Sequence, residues 1–195
     1  MNPGHDERDG GAGPPALLVL GLGNLLLTDD AVGLELLARL ESDWSPGADD
    51  PGVEFVDGGT QGLALLGVIS GRRALLVLDA VGLGAAPGTV HVMSGEDVLA
   101  MHFTRPDTAH DGGAGQLLAI AGLMGDLPER VTVVGVEPGR VATGLGFSES
   151  VRDALPGAVA RAKLAAIELR MPVAGAPGAI GAASAAGAAG APCTN

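Results

Sequence analysis

Short runs of apolar residues alternate with longer segments in which apolar residues recur every three or four positions. The short runs are typical of buried strands and the periodic segments of amphipathic helices. The alternation predicts an α/β fold, a single domain with a mainly parallel twisted sheet of about five strands flanked by helices. The predicted strands are Ala16–Leu20, Val53–Val56, Ala74–Leu78, Gly88–Met93 and Val131–Val136. The predicted helices are Ala31–Asp43, Gly62–Ser70, Gly115–Met124 and Ser148–Arg170.

The apolar content of each run predicts its place in the sheet. The first and third runs, LLVL at 17–20 and ALLVL at 74–78, have no polar face, so we expect them at the centre of the sheet. The fourth run, GTVHVM, alternates between apolar and polar residues, which favours an edge strand. His91 in this run is interpreted as a solvent-facing strand residue and not as a ligand.

The two ends of the chain differ from the part between them. Residues 1–15 are polar and glycine-rich without the apolar core of a signal peptide, and residues 172–195 are rich in alanine and glycine. We expect a flexible N-terminal extension over 1–15, one domain over 16–171 and a disordered tail over 172–195. Cys193, the one cysteine, lies in that tail, which argues against disulfides and cysteine-based zinc sites and predicts a cytoplasmic protein.

Charge and composition exclude several classes of partner. The 23 acidic residues outnumber 11 basic ones and give a formal net charge of −12, which repels nucleic acids and anionic lipid surfaces. No apolar run approaches the roughly 20 residues of a membrane span. Aromatic residues make up 2% of the chain, so the core is expected to be aliphatic. The apolar pattern requires no second subunit, and we predict a monomer.

Polar residues at the ends of predicted strands are the candidates for chemistry, because ligands of open α/β sheets bind at the carboxyl ends of the strands. Asp30 follows the glycine turn after the first strand, and Asp79 follows the buried third strand. His110 lies in a glycine-rich loop before the helix predicted at Gly115. Thr28 or Asp29 is interpreted as the N-cap of the first helix. In the sequence DGGT at 57–60, the aspartate is interpreted as a turn residue.

A metal site is one consequence of this placement. A carboxylate directly after an apolar strand is partly desolvated and needs a partner or a metal. If Asp30, Asp79 and His110 converge, two oxygens and one imidazole nitrogen form a site with open coordination positions. Such a donor set suits a borderline ion such as Ni²⁺ or Zn²⁺.

Five sequence blocks carry a resemblance to a known family. They are VLGLGNLLLTDDAVG at 19–33, FVDGGTQGLALL at 55–66, LLVLDAV at 75–81, APGTV at 86–90 and VTVVGVEP at 131–138. The first block has the pattern GxGNxLxxDDxxG, and the others follow in the expected order. From about Leu17 to about Arg170 the chain resembles the [NiFe] hydrogenase maturation endopeptidases, which remove a C-terminal peptide from the hydrogenase large-subunit precursor after nickel insertion.

The resemblance implies a set of site residues, a metal and a partner. The family's metal-contacting triad matches Asp30, Asp79 and His110, which are then both the catalytic and the metal-contacting residues. His102 is the alternative if the histidine of the loop is placed wrongly. The implied enzyme is a nickel-recognising endopeptidase of aspartic or metallo type, whose nickel is that of the precursor and whose partner is the precursor itself. The DGGT segment is expected to help shape the substrate cleft.

Other functions fit the sequence less well. A dinucleotide-binding turn would need a glycine at position 26, which is leucine, and would place phosphate against the acidic pair at 29–30. Peptidyl-tRNA hydrolases also have a GLGN turn, but they need a basic groove that this acidic chain does not favour. A chaperone-like binder that recognises the nickel-loaded precursor without cutting it remains the alternative function.

Overall fold

A computed structural model describes residues 16–44, 52–104 and 113–171. The predicted extension over 1–15 and the predicted tail over 172–195 lie outside these ranges. So does His110, the third predicted site residue.

Five strands form one sheet, as the sequence predicts. They are β1 (Leu17–Leu22), β2 (Val53–Gly59), β3 (Ala74–Ala80), β4 (Val90–Ser94) and β5 (Arg130–Val136). Their order across the sheet is β2-β1-β3-β5-β4. β4 pairs with β5 in antiparallel direction and every other pair is parallel. The carboxyl ends of β1, β2, β3 and β5 therefore share one edge.

β1 and β3 lie inside the sheet, and β4 lies at one edge, so the predicted places of these strands are confirmed. Every residue of β1 and β3 is buried. Both faces of these strands are covered, because alternate side chains point to opposite sides of a strand. Leu17 and Leu76 pack in one apolar cluster, while Leu18 and Leu75 pack in the other.

Five helices accompany the sheet. They are α1 (Val32–Ser42), α2 (Leu66–Ile69), α3 (Gly95–Thr104), α4 (Ala114–Met124) and α5 (Glu149–Arg170). Side chains of α1 and α5 form the first apolar cluster with the sheet, and side chains of α2, α3 and α4 contribute to the second. The fold is thus three layers, with the sheet in the middle.

Two helix predictions need correction. The segment predicted as one helix at 62–70 is a 3₁₀ turn, Gly62–Leu65, followed by the single turn of α2. Helix α3 was not predicted at all. Its start carries a capping-box arrangement, in which Ser94 Oγ accepts the amide of Asp97 at 3.1 Å and the Asp97 carboxylate accepts the amide of Ser94 at 3.2 Å.

The start of α1 is fixed against the carboxyl ends of two central strands. A Cβ on Gly33 would lie 2.3 Å from the carbonyl oxygens of both Leu22 and Leu78, so only glycine permits this approach. The 3₁₀ turn Thr28–Ala31 precedes α1 directly. The acidic pair at 29–30 is therefore held at the edge of the sheet where the parallel strands end.

Among the described residues, no helix combines the length and the apolar character needed to cross a membrane.

Candidate active site

Asp79 is the most buried candidate of the site. It is the second-to-last residue of β3, a strand that runs two residues beyond its predicted end, and it is 6% exposed. Its Oδ1 accepts the amide of Ala80 at 2.8 Å, and its Oδ2 accepts the amide of Ala114, the first residue of α4, at 2.9 Å. Burial raises the pKa of Asp79 to about 7 in spite of these two hydrogen bonds.

Asp30 belongs to the same site. It lies in the 3₁₀ turn before α1, is half-buried, and accepts the amide of Asn24 on its Oδ2 at 2.8 Å. After burial, the negative charge of Asp30 further raises the pKa of Asp79. Both carboxylates, predicted from the sequence, lie where parallel strands end at the carboxyl edge of the sheet.

The sequence predicts a histidine for the site, either His110 or His102. His110 lies outside the described residues, and the chain is described again from Gly113. In the sequence His110 is four positions before Ala114, whose amide is bound to Asp79. His102, the alternative, lies on α3 and lines a cavity together with Asp79. Its Nδ1 is buried and has no hydrogen-bond partner among the residues that the structure describes.

Asp29 and Thr28 do not cap α1, so that prediction is wrong. The helix begins at Val32, and its N-cap residue is Ala31, which makes no side-chain cap. The carboxylate of Asp29 instead accepts three amides from a distant segment, Gly139 at 2.9 Å, Arg140 at 2.7 Å and Ser148 at 2.6 Å. Burial opposes the ionisation of Asp29, but these hydrogen bonds outweigh it and hold its pKa below the usual value.

Thr28 binds the same distant segment. Its hydroxyl donates to the carbonyl oxygen of Arg140 at 2.7 Å and accepts the amide of Ala142 at 3.2 Å. Its φ of 41° lies in the left-handed region, which a threonine rarely adopts. The contacts with the 140–142 segment hold this conformation in place.

Comparison with known proteins identifies the family. The family model described as "Hydrogenase maturation protease" matches residues 38–164, well over half of the chain. The chain belongs to the hydrogenase maturation protease family. It is 37% identical to the Hydrogenase 2 maturation protease of Escherichia coli over 136 residues, which is 69% of this chain and 80% of that protein. It is 36% identical to the hydrogenase expression/formation protein HupD of Rhodobacter capsulatus, over 75% of this chain and 67% of that protein.

Solved structures agree with this assignment. The hydrogenase maturating endopeptidase HybD of Escherichia coli is 35% identical, with a TM-score of 0.68 over 78% of this chain and 92% of that chain. The [NiFe] hydrogenase maturation protease HybD of Thermococcus kodakarensis, at 24% identity and a TM-score of 0.57, shares the fold. The family and the α/β fold inferred from the sequence blocks are therefore confirmed, and this maturation protease is a hydrolase.

Glu137 is another buried carboxylate of the maturation protease, and it was not predicted as a functional residue from the sequence. Glu137 follows β5 and is 5% exposed. It accepts the amides of Leu83 and Gly84 at 2.9 Å each, and it contacts Nε2 of His91 at 3.2 Å. Burial works against its ionisation, but these contacts lower the pKa of Glu137. Its position directly after a strand was the signal that could have identified it.

Two further interpretations are corrected by these contacts. His91 is not a solvent-facing residue, because its imidazole is half-buried against Glu137. Asp57 is not in a turn, because β2 continues through it to Gly59 and Asp57 pairs with Gly21 of β1. The turn predicted at DGGT is instead a register shift between β1 and β2.

Proposed function

We propose that this maturation protease removes the C-terminal peptide of a [NiFe] hydrogenase large-subunit precursor after nickel has been inserted. The observation that carries the proposal is the pair of carboxylates, Asp30 and Asp79, at the carboxyl edge of the sheet in a member of a protease family.

Asp30, Asp79 and His110 contact the nickel of the precursor in this proposal. Two carboxylate oxygens and an imidazole nitrogen are ligands that Ni²⁺ accepts. Burial and the charge of Asp30 raise the pKa of Asp79. A divalent cation held by these carboxylates would offset the repulsion between them and would favour the ionised form of Asp79, so that its binding would release a proton.

The two carboxylates hold the nickel-bearing end of the precursor at the edge of the sheet. A bound divalent metal polarises a carbonyl group or lowers the pKa of a bound water to about 7. Either effect promotes hydrolysis of a peptide bond beside the metal. Asp79 is anchored for this role, because the amides of Ala80 and Ala114 fix its two oxygens.

Precursor cleavage with and without nickel tests the proposal. The wild-type protein is incubated with nickel-loaded and nickel-free precursor, and the precursor mass is followed. We expect loss of the C-terminal peptide only from the nickel-loaded form, and no loss with Asp30→Asn or Asp79→Asn. Cleavage that survives both substitutions would overturn the assignment of the site.

The two histidines form a matched pair for the same assay. We expect His110→Ala to abolish cleavage and His102→Ala to leave it within a few-fold of wild type. The reverse result would assign the third position to His102, which lines the cavity beside Asp79. Tight binding of nickel-loaded precursor by the wild-type protein without cleavage would favour the non-hydrolytic binder. The cytoplasmic location and the monomeric state stay predictions. Cell fractionation measures the first, and analytical sedimentation measures the second.

A further inference from the structure

Two loops at the site edge of the sheet are joined through their backbones. The first, residues 24–27, follows β1, and the second, residues 140–146, follows β5. Gly144 donates its amide to the carbonyl oxygen of Leu26 at 2.9 Å, and Thr28 donates its amide to that of Gly144 at 3.1 Å. Leu27 and Gly144 form an isolated parallel bridge. The two loops therefore form one continuous surface.

This surface presents apolar side chains to solvent. Leu25 is 60% exposed, Leu26 63% and Leu145 79%, and Val141 is exposed as well. We call these four side chains the apolar rim. The first loop includes no charged residue, and the second includes one, the exposed Arg140 at its start. A group of apolar side chains that are exposed to solvent is typical of an interaction site.

The rim is held in place by hydrogen bonds. Asn24 closes the first loop, because its backbone oxygen accepts the amide of Leu27 at 3.0 Å and its Oδ1 accepts the amide of Leu26 at 2.9 Å. These bonds restrain the backbone that carries the exposed Leu25 and Leu26. Their exposure is therefore a property of the folded state.

The rim is also continuous with the candidate active site. The amide of Asn24, the residue that closes the first loop, is bound to Oδ2 of Asp30 at 2.8 Å. Leu25 follows it directly in the chain. Asn24 thus links the loop that carries Leu25 and Leu26 to the carboxylate of Asp30.

Asp29 holds the second loop in this position. Its carboxylate binds the amides of Gly139 and Arg140 at the start of the loop and of Ser148 just beyond its end. Because Asp29 is next to Asp30 in the chain, the loop that carries Leu145 is fixed to the same turn as the site carboxylate.

We propose that the apolar rim binds apolar, uncharged side chains of the precursor segment next to the cut, and that Asp29 is a positioning residue for this binding. The inference rests on the proposed function, which supplies the precursor as the occupant. The exposed leucines and Val141 favour apolar side chains of the precursor, and the one charge in the two loops, that of exposed Arg140, disfavours a basic segment. The carboxylates of the site are left to contact the nickel.

Serine substitutions in the rim test the binding surface. Leu26→Ser and Leu145→Ser are compared with Leu164→Ser, which is matched because Leu164 is 61% exposed. Leu164 lies on α5 next to Lys163, whose Nζ reaches the carbonyl oxygen of Asp43 at the end of α1, far from the site edge. We expect the rim variants to raise KM for nickel-loaded precursor about tenfold, which is about 1.4 kcal/mol, with kcat within about twofold. Equal KM values for all three variants would overturn the proposal that the rim binds the precursor.

Asp29→Asn tests the positioning role. The asparagine oxygen still accepts an amide, so the variant keeps part of the clamp. We expect a higher KM with little change in kcat, and no further rise in KM when Leu145→Ser is added, because both changes act on the same loop. A fall in kcat at unchanged KM, or full additivity of the two changes, would overturn the role.

Binding measurements separate failure of the inference from failure of the proposed function. If wild-type protein does not cut nickel-loaded precursor, the proposed cleavage is wrong. The dissociation constant of the precursor is then measured for wild type, Leu26→Ser and Leu164→Ser. Loss of affinity only in Leu26→Ser supports binding of the precursor by the rim. Equal affinity of the three overturns it. A wild-type dimer in sedimentation that Leu26→Ser converts to a monomer would show that a second copy covers the rim, which also overturns it.

Discussion

Asp29 and Asp79 are both buried aspartates near the carboxyl edge of the sheet, yet their pKa values are displaced in opposite directions. Three amides bind the carboxylate of Asp29, and its pKa is lowered. Two amides bind Asp79, which burial and the charge of Asp30 bring to a pKa of about 7. Burial alone therefore does not decide whether a carboxylate is charged. The balance of hydrogen-bond donors and neighbouring charge decides it.

The opposite displacement of the two pKa values indicates different roles for the two residues. Asp29 is stabilised as an anion by donors from one distant segment, so it joins parts of the fold. Asp79 lacks that compensation and is the carboxylate that a cation would stabilise most. Asp29 is thus a structural contact and Asp79 a chemically available group, and both lie at the same edge of one sheet.

Replacing Asp79 is expected to have the largest effect on function. Asp79→Asn should lower kcat for cleavage of nickel-loaded precursor by at least about 100-fold, because the variant loses the carboxylate that the proposed function places against the nickel of the substrate. Circular dichroism should show an intact fold. A variant that is folded and still active would break the comparison, since Asp79 would then be structural like Asp29.

Replacing Asp29 is expected to have the largest effect on stability. Asp29→Ala removes the acceptor of three amides and should lower the free energy of unfolding by about 2–4 kcal/mol, measured by urea denaturation at pH 7. Asp29→Asn should lose less, because one acceptor oxygen remains. Equal stability of wild type and the alanine variant would contradict the clamp.

The pH dependence of stability should have opposite signs at the two residues. The folded pKa of Asp79 is raised, so its contribution is complete below about pH 4 and is lost as the pH rises to about 7. The unfolding free energy of wild type relative to Asp79→Asn should fall over that window by at most about 1.4 kcal/mol per pH unit.

For Asp29 the sign is reversed. Its folded pKa is lowered from 3.8, so its contribution is present above that value and is lost as the pH falls through the folded pKa. Wild type relative to Asp29→Asn should lose stability in acid and stay constant from pH 5 to 8. The same direction for both aspartates would refute the contrast between them.

Glu137 offers a smaller test of the same contrast. It resembles Asp29, since backbone amides and a lowered pKa mark it as a clamp, here for the segment at 83–84 that lies beside the Asp79 cavity. Glu137→Gln should cost about 1 kcal/mol in thermal or urea unfolding, because the amide oxygen keeps one of its contacts. A loss of cleavage without a loss of stability would show that Glu137 has a functional role, like the one proposed for Asp79, instead of a structural one.

Much of the fold could be predicted because its signals are local. Runs such as 17–20 and 74–78 are apolar at every position, which few structures other than a central strand accommodate in so short a length. Helix α3 was missed although Ser94 and Asp97 are suitably spaced for a capping box. The ends of β1 to β4 were underestimated by one to three residues; in β3, polar Asp79 looked like the end of a strand that continues to Ala80.

The site could be predicted in part for the same reason. Asp30 and Asp79 each follow a recognisable strand, and the parallel arrangement brings strand ends to one edge. Asp29 was separated from Asp30 but was assigned the wrong role, that of a helix cap, because its partners lie in the distant segment at 139–148.

By itself, the sequence determined which segments become strands and helices, which strands are central, and which family's blocks it shares. Periodicity and apolar content act over a few residues, so they can be read directly from the chain. The tertiary structure decided the roles of Asp29, Thr28, His91 and Glu137. Their partners lie 46 to 119 positions away in the chain. Such hydrogen bonds form only when the sheet has brought its strand ends together, and no local pattern encodes them.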